Sequence, residues 1–315
     1  MNSKKVNWVF LCLILLNLAL YALMFICYAK GIALFDIGIV TNLLISQLII
    51  LSPAFLFMLA SGKKTETGRL NEMLGFQKIK VSSFFMVLLF TFLIMPMSTA
   101  LNAISMLFVD NTVNAISGDV LQMPFPVMLF MIGIFGPFCE EFVFRGIIFR
   151  GYKKSGSVFW AVFWSALLFG LMHLNFNQAA YAIALGIMFA LLVEATGSLW
   201  SSMIAHMVFN SWQVCIMYLA EFIPTELVEP EMELTQDLLI MAIGPYLLIA
   251  AVATPLAVCV LIWLSKNEKR EAWFCSICAR RKEKKEAMVS IPLVIAIVLC
   301  LAVMSMEYIM ALFAG

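Results

Sequence analysis

Nine long stretches of this chain carry few charges: residues 7–28, 39–61, 82–107, 125–149, 157–175, 178–195, 199–219, 238–264 and 288–312. Crossing the hydrocarbon core of a bilayer takes about 20 apolar residues in helical form. A backbone in that medium must satisfy its own hydrogen bonds, and a helix does so within one segment. The nine runs therefore predict an all-α, polytopic membrane protein with about nine transmembrane helices. Composition agrees: 63% of the residues are hydrophobic and 12% charged, against roughly a half and a quarter in soluble domains. The formal net charge of +1 offers no field that would gather nucleic acid. The expected partner is the lipid bilayer.

Basic residues sort the connections into two sides. Lys and Arg collect on the cytoplasmic side of a membrane. With the N-terminus inside, the inner segments are 1–6, 62–81, 150–156, 196–198 and 265–287, and they hold 18 of the 20 basic residues. Outside falls the loop 220–237, with Glu221, Glu226, Glu229, Glu231, Glu233 and Asp237. An odd number of spans then places the C-terminus outside, and the expected location is the plasma membrane of a bacterium. Met1 to Lys5 has the positive start of a signal peptide, but the apolar run after it is too long and lacks a small-residue cleavage site. It reads as an uncleaved first span. The chain divides into three N-terminal spans (1–124), a core (125–219) and two C-terminal spans joined by a basic loop (220–315). That loop, 265–287, reads as a positive-inside anchor or as a segment for anionic lipids or a partner. Leu70 to Phe76 has the pattern of a short interfacial helix. Most of the eight cysteines lie in apolar runs, where Cys behaves as a small hydrophobe, so no disulfide framework is implied. Cys275 and Cys278 form a single C-x-x-C. Structural zinc takes four ligands, and no second pair or His stands nearby, so these read as ordinary thiols.

The fourth run contains what a membrane span avoids. Pro137-Phe138-Cys139-Glu140-Glu141-Phe142-Val143-Phe144-Arg145-Gly146 sets two carboxylates and a guanidinium among apolar residues. Each such charge at mid-bilayer costs roughly 2.5–3.5 kcal/mol on insertion scales. Residues four apart share a helical face, so Glu141 and Arg145 pair with the Glu in the favourable N-terminal position. Glu140 points about 100° away from Glu141 and is left to face something else. Pro137 removes one helical hydrogen bond beside Gly136, which predicts a kink and a freed carbonyl. The two histidines of the chain, His173 and His206, both lie in apolar runs, and His206 shares a helical face with Asn210. Counted from the cytoplasmic ends, Glu140 lies about 15 Å deep, His206 about 10–12 Å, Asn210 about 18 Å and His173 about 24 Å. His173 is thus the outlier of the set.

These residue types suit hydrolysis by water. A Glu in a site of low dielectric can act as general base near neutral pH, and with His173 it could activate a water. His206 and Asn210 could donate hydrogen bonds to a developing oxyanion. Alternatives stand beside this reading. The charges could form an internal salt bridge with one protonated Glu. A Glu with two His is also a catalytic zinc set, although no H-E-x-x-H occurs. An immunity protein, or a transporter with a proton relay, could use the same cluster.

In these residues the chain resembles the CAAX-protease and bacteriocin-processing (CPBP) family of intramembrane glutamate proteases. The family pattern E-E-x-x-x-R, F-x-x-x-H and H-x-x-x-N stands here as Glu140-Glu141 with Arg145, Phe169 with His173, and His206 with Asn210. Gly146 and the stretch Thr196-Gly197-Ser198-Leu199-Trp200 are similar too, and the resemblance covers roughly 125–215. It implies an all-helical membrane core, no metal or other cofactor, Glu140 and His173 activating water, and His206 and Asn210 forming an oxyanion hole. Glu141 and Arg145 support them. The implied substrate is a membrane-tethered peptide or protein. Members of the family process prenylated C-terminal tails in eukaryotes. In bacteria they are associated with bacteriocin maturation or self-immunity, and some are proposed to act as scaffolds.

Overall fold

All nine apolar runs fold as helices. The computed structural model describes residues 3–31, 38–60, 74–109, 111–222, 236–282 and 287–314. Its helices in chain order are α1 (Ser3–Ala29), α2 (Ile39–Ala60), α3 (Val81–Ser105), α4 (Thr112–Leu121), α5 (Phe125–Ser155), α6 (Val158–Leu171), α7 (Phe176–Thr196), α8 (Leu199–Ala220), α9 (Gln236–Asn267), α10 (Glu271–Cys275) and α11 (Ile291–Ala314). Among the described residues, seven are long and apolar enough to cross a bilayer; α6 and the stretch Ile291–Met306 are shorter apolar helices. The chain is an integral membrane protein. Helix α4 occupies a connection that holds no apolar run. Residues 70–73 of the interfacial helix expected at Leu70 to Phe76, and most of the acidic loop 220–237, fall outside the described residues; Leu74 is helical and Gly75 and Phe76 are not.

One boundary differs from expectation in a way that matters. The fifth run was expected to remain helical to residue 175, yet α6 stops at Leu171. Leu174 takes a left-handed backbone, φ 57°. A side chain there costs about 1–2 kcal/mol, and burial of Leu174 helps offset it. Asn175 then caps α7, its Oδ1 accepting from Gln178 N–H at 2.7 Å. The chain therefore reverses just beyond His173. Helices α6 and α7 cross closely because small residues meet. A Cβ on Gly186 would stand 2.9 Å from Cα of Ala166, and one on Gly170 would stand 2.4 Å from the Ile183 side chain. Such contacts substitute in lipid for the hydrophobic drive that is missing there.

The other end of α7 is built as the stretch Thr196 to Trp200 suggests. Gly197 is left-handed at φ 76°, its N–H returning to Val193 O at 2.7 Å. Ser198 caps α8 through Trp200 N–H. Peripheral helices are tied to this core by buried polar groups. Asn7 of α1 accepts from the Tyr152 hydroxyl at 2.5 Å and donates to Met288 O and Ser290 Oγ. Ala257, Val260 and Leu261 of α9 share a core with Val87, Phe90 and Ile94 of α3.

Helix α5 is irregular where the charges lie. Two π-helical segments, Leu129–Phe135 and Phe142–Phe149, flank a regular stretch Gly136–Glu141. π-Helical turns are rare and collect at functional sites. Their origin here can be traced. Gly136 N–H donates to Met131 O, five residues back. The next bond of that register would run from residue 137 to Ile132 O, and Pro137 has no N–H to make it.

Candidate active site

Glu141, Arg145 and His206 form the buried centre. Arg145 Nη1 donates to Glu141 Oε1 at 2.6 Å, and both side chains are sealed from solvent. Arg145 Nη2 also donates to Gly186 O at 3.2 Å, a carbonyl brought close by the α6–α7 crossing. The guanidinium lies over the Phe169 ring at 4.3 Å and near the Phe189 ring at 5.4 Å. Aromatic faces favour a desolvated cation. The expected i, i+4 pair is therefore present, and packing between two rings adds to it.

His206 joins the two carboxylates. Its Nδ1 lies 3.0 Å from Glu141 Oε1, and its Nε2 lies 3.9 Å from Glu140 Oε2. An ionised Glu141 can only accept, so Nδ1 carries the proton of that bond. The Glu140 side chain remains 14% exposed, whereas that of Glu141 is fully buried. The two neighbouring carboxylates thus differ in kind: one is a fixed structural counter-ion, the other an accessible group beside an imidazole.

His173 is held from its own turn. Its Nδ1 lies 2.9 Å from Phe169 O. A carbonyl only accepts, so the proton sits on Nδ1 and Nε2 is left with its lone pair. Asn175 fixes the same turn by donating to His173 O at 3.1 Å. The rings of His173 and His206 both pack edge-on against Phe169, with centroids 5.3 and 5.8 Å from it, and His206 also meets Phe189 at 5.1 Å. Despite the excess depth counted for His173, Phe169 places both imidazoles about one ring. Asn210 donates to Ile132 O at 3.3 Å. That is the carbonyl which Pro137 leaves without a backbone donor. One amide N–H of Asn210 therefore bridges α8 to the irregular part of α5, and the other has no partner among the described residues. No group of three or more His, Cys, Asp or Glu positioned to hold a metal ion occurs among the described residues.

Sequence reasoning passed over two features of this core. Phe189 and Gly186 O serve Arg145, but nothing in an apolar run marks which of its rings or carbonyls will do so. Glu194, near the end of α7, is buried yet contacts Lys153, accepts from Trp273 Nε1 at 2.7 Å and lies 4.0 Å from Arg270. An acid at the end of an apolar run, with basic segments on either side in sequence, was its available signal. This cluster fastens α10 and the start of the basic loop to the core. Cys275 and Cys278 are exposed and unbonded there.

Fold and site together define an all-helical membrane protein with an accessible Glu–His pair supported by a buried Glu–Arg ion pair. Residues 122–212 match the family model described as type II CAAX prenyl endopeptidase, Rce1-like, so this segment, with its glutamates and histidines, belongs to the CAAX protease (CPBP) family. Among curated proteins, the candidate membrane peptidase YdiL of Bacillus subtilis is 33% identical over 96 residues, 30% of this chain and 39% of that protein. The membrane-embedded CAAX protease MroQ of Staphylococcus aureus is 29% identical over 107 residues, 32% of this chain and 43% of that protein. The match thus spans about two fifths of each relative. No solved structure matches the chain.

Proposed function

We propose that this protein is an intramembrane endopeptidase that hydrolyses a membrane-tethered peptide by direct attack of water. The observation that carries the reading is the contrast between the two glutamates. Glu141 is sealed from solvent and shares its Oε1 between Arg145 and His206, while Glu140 is accessible beside the same imidazole. In the proposed reaction Glu140, assisted by Nε2 of His173, takes a proton from water as its oxygen bonds to the scissile carbonyl carbon. The oxyanion that forms accepts from His206 Nε2–H and from the uncommitted N–H of Asn210. With Nδ1–H held by Glu141, donation from Nε2 requires the His206 ring to carry both protons. Collapse of the intermediate breaks the C–N bond, and the proton taken by Glu140 passes to the leaving amine.

The family description supports a first substrate, a prenylated peptide ending in a CAAX sequence. The test uses purified protein in liposomes with such a peptide, carrying a fluorophore and quencher on either side of the expected bond. Wild type should cleave it, with fragments confirmed by mass. Glu140→Gln should lower the rate by about 10²–10⁴-fold, the usual scale of a general base. Equal rates for the two would refute the assignment. A wild type that cleaves no membrane peptide would leave the cluster to a scaffold or immunity role.

A further inference from the structure

Gln47, on α2, is a buried polar residue with an unanswered acceptor. It is 8% exposed, and its Oε1 has no hydrogen-bond partner among the described residues. An acceptor stranded in this way weakens a fold unless something supplies a donor. Its location says where that donor would stand. A Cβ built on Gly136 would lie 3.5 Å from Gln47 Nε2. Gly136 and Glu140 begin and end one turn of the regular segment of α5, four residues apart, and so share a face. Helical side chains lean towards the N-terminus, which tilts Glu140 back over the turn that starts at Gly136. Glycine leaves the start of that turn without a side chain. The carboxamide of Gln47 therefore lies one turn from Glu140, against the same face of α5.

We propose that Gln47 is a substrate-binding residue, whose Oε1 accepts a backbone N–H of the peptide held beside Glu140. The chemistry of the ligand follows from that of its surroundings. A peptide drawn into a membrane site loses water from its N–H and C=O groups, and each needs a new partner. A carboxamide presents one acceptor and an NH₂ donor, the complement of a peptide group. The proposal rests on the endopeptidase reading and adds to it a contact from outside the segment that carries the motifs.

The test uses the whole protein in liposomes, with the prenylated quenched peptide and a set of its analogues, each N-methylated at one backbone position. Gln47→Met keeps the length of the side chain and removes both polar ends. It should lower kcat/KM by roughly 3- to 10-fold, mainly through KM, with the melting temperature unchanged or raised. One N-methylated peptide should lose a similar factor on wild type and nothing further on Gln47→Met, the signature of two partners in one bond. An unchanged kcat/KM in folded Gln47→Met, or additive losses at every methylated position, would overturn the proposal. The same peptides are also measured for binding, by fluorescence anisotropy with the quencher omitted. If wild type binds but does not cleave, and Gln47→Met weakens binding with the same dependence on one N–H, the hydrolytic reading falls and the role of Gln47 stands. Equal affinities would remove that role even where Glu140-dependent cleavage is seen.

Discussion

Replacing Glu141 by Gln should unfold this protein more readily than the same change at its neighbour Glu140. Arg145 is sealed from solvent, and its Nε has no partner among the described residues. Its bonds are to Glu141 Oε1 at 2.6 Å and to the Gly186 carbonyl at 3.2 Å. Among the described residues Glu141 is thus the one anion in contact with it, and the same oxygen meets His206. Removing one partner of a buried ion pair costs about 3–5 kcal/mol, because the other charge is stranded. Gln keeps a carbonyl that can still accept, which places Glu141→Gln near about 3 kcal/mol. Glu140 is partly exposed, and its 3.9 Å approach to His206 is its only close ionic contact among the described residues, so Glu140→Gln should cost less than about 1 kcal/mol. The difference, about 2 kcal/mol, corresponds to roughly 3–4 °C in melting temperature for a chain of this size. Intrinsic tryptophan fluorescence during thermal unfolding in detergent reads it directly. A double variant, Glu141→Gln/Arg145→Gln, should melt higher than the sum of its two single changes, since no charge remains stranded. If Glu141→Gln and Glu140→Gln melt within a degree or two of each other, the division into structural and accessible glutamates is wrong.

Three further outcomes are expected. A reporter fused to the C-terminus should be active only outside the cytoplasm, because 18 of the 20 basic residues fall on one side of the nine-span arrangement; cytoplasmic activity would refute that topology. Glu140→Ala and Glu140→Ala/His173→Ala should share nearly the same residual peptidase activity, since groups that act on one water are non-additive; a further large loss in the double variant would separate them. Asn210→Ala should lower kcat by about 10²–10³-fold while leaving the pH profile closer to wild type than His173→Ala does, because an amide does not titrate. A shift of the acidic limb as large as that of His173→Ala would take Asn210 out of the oxyanion role.

The amino-acid sequence determined whatever depends on local cost. Charge is expensive in hydrocarbon, so nine apolar runs marked helices, and the three ionic residues in the fourth run marked the candidate site. Helical periodicity alone paired Glu141 with Arg145, and the pair is present at 2.6 Å. Pro137 foretold a freed carbonyl, which is Ile132 O. Only the tertiary structure decided what that carbonyl would meet. Helices apolar on every side carry no face that names their neighbours. Their contacts were settled by small residues such as Gly170 and Gly186, and by the demand that buried polar groups find partners across helices. The early end of α6 shows the same limit. A depth count set His173 apart from the other site residues, whereas the Phe169 ring meets both histidines. Gln47 and Glu194 stayed silent for the same reason: each owes its meaning to groups far away in the chain, Gly136 for one and Lys153, Arg270 and Trp273 for the other. Solvation and periodicity act on a segment by itself, but hydrogen-bond satisfaction inside a bilayer is a property of the assembled bundle.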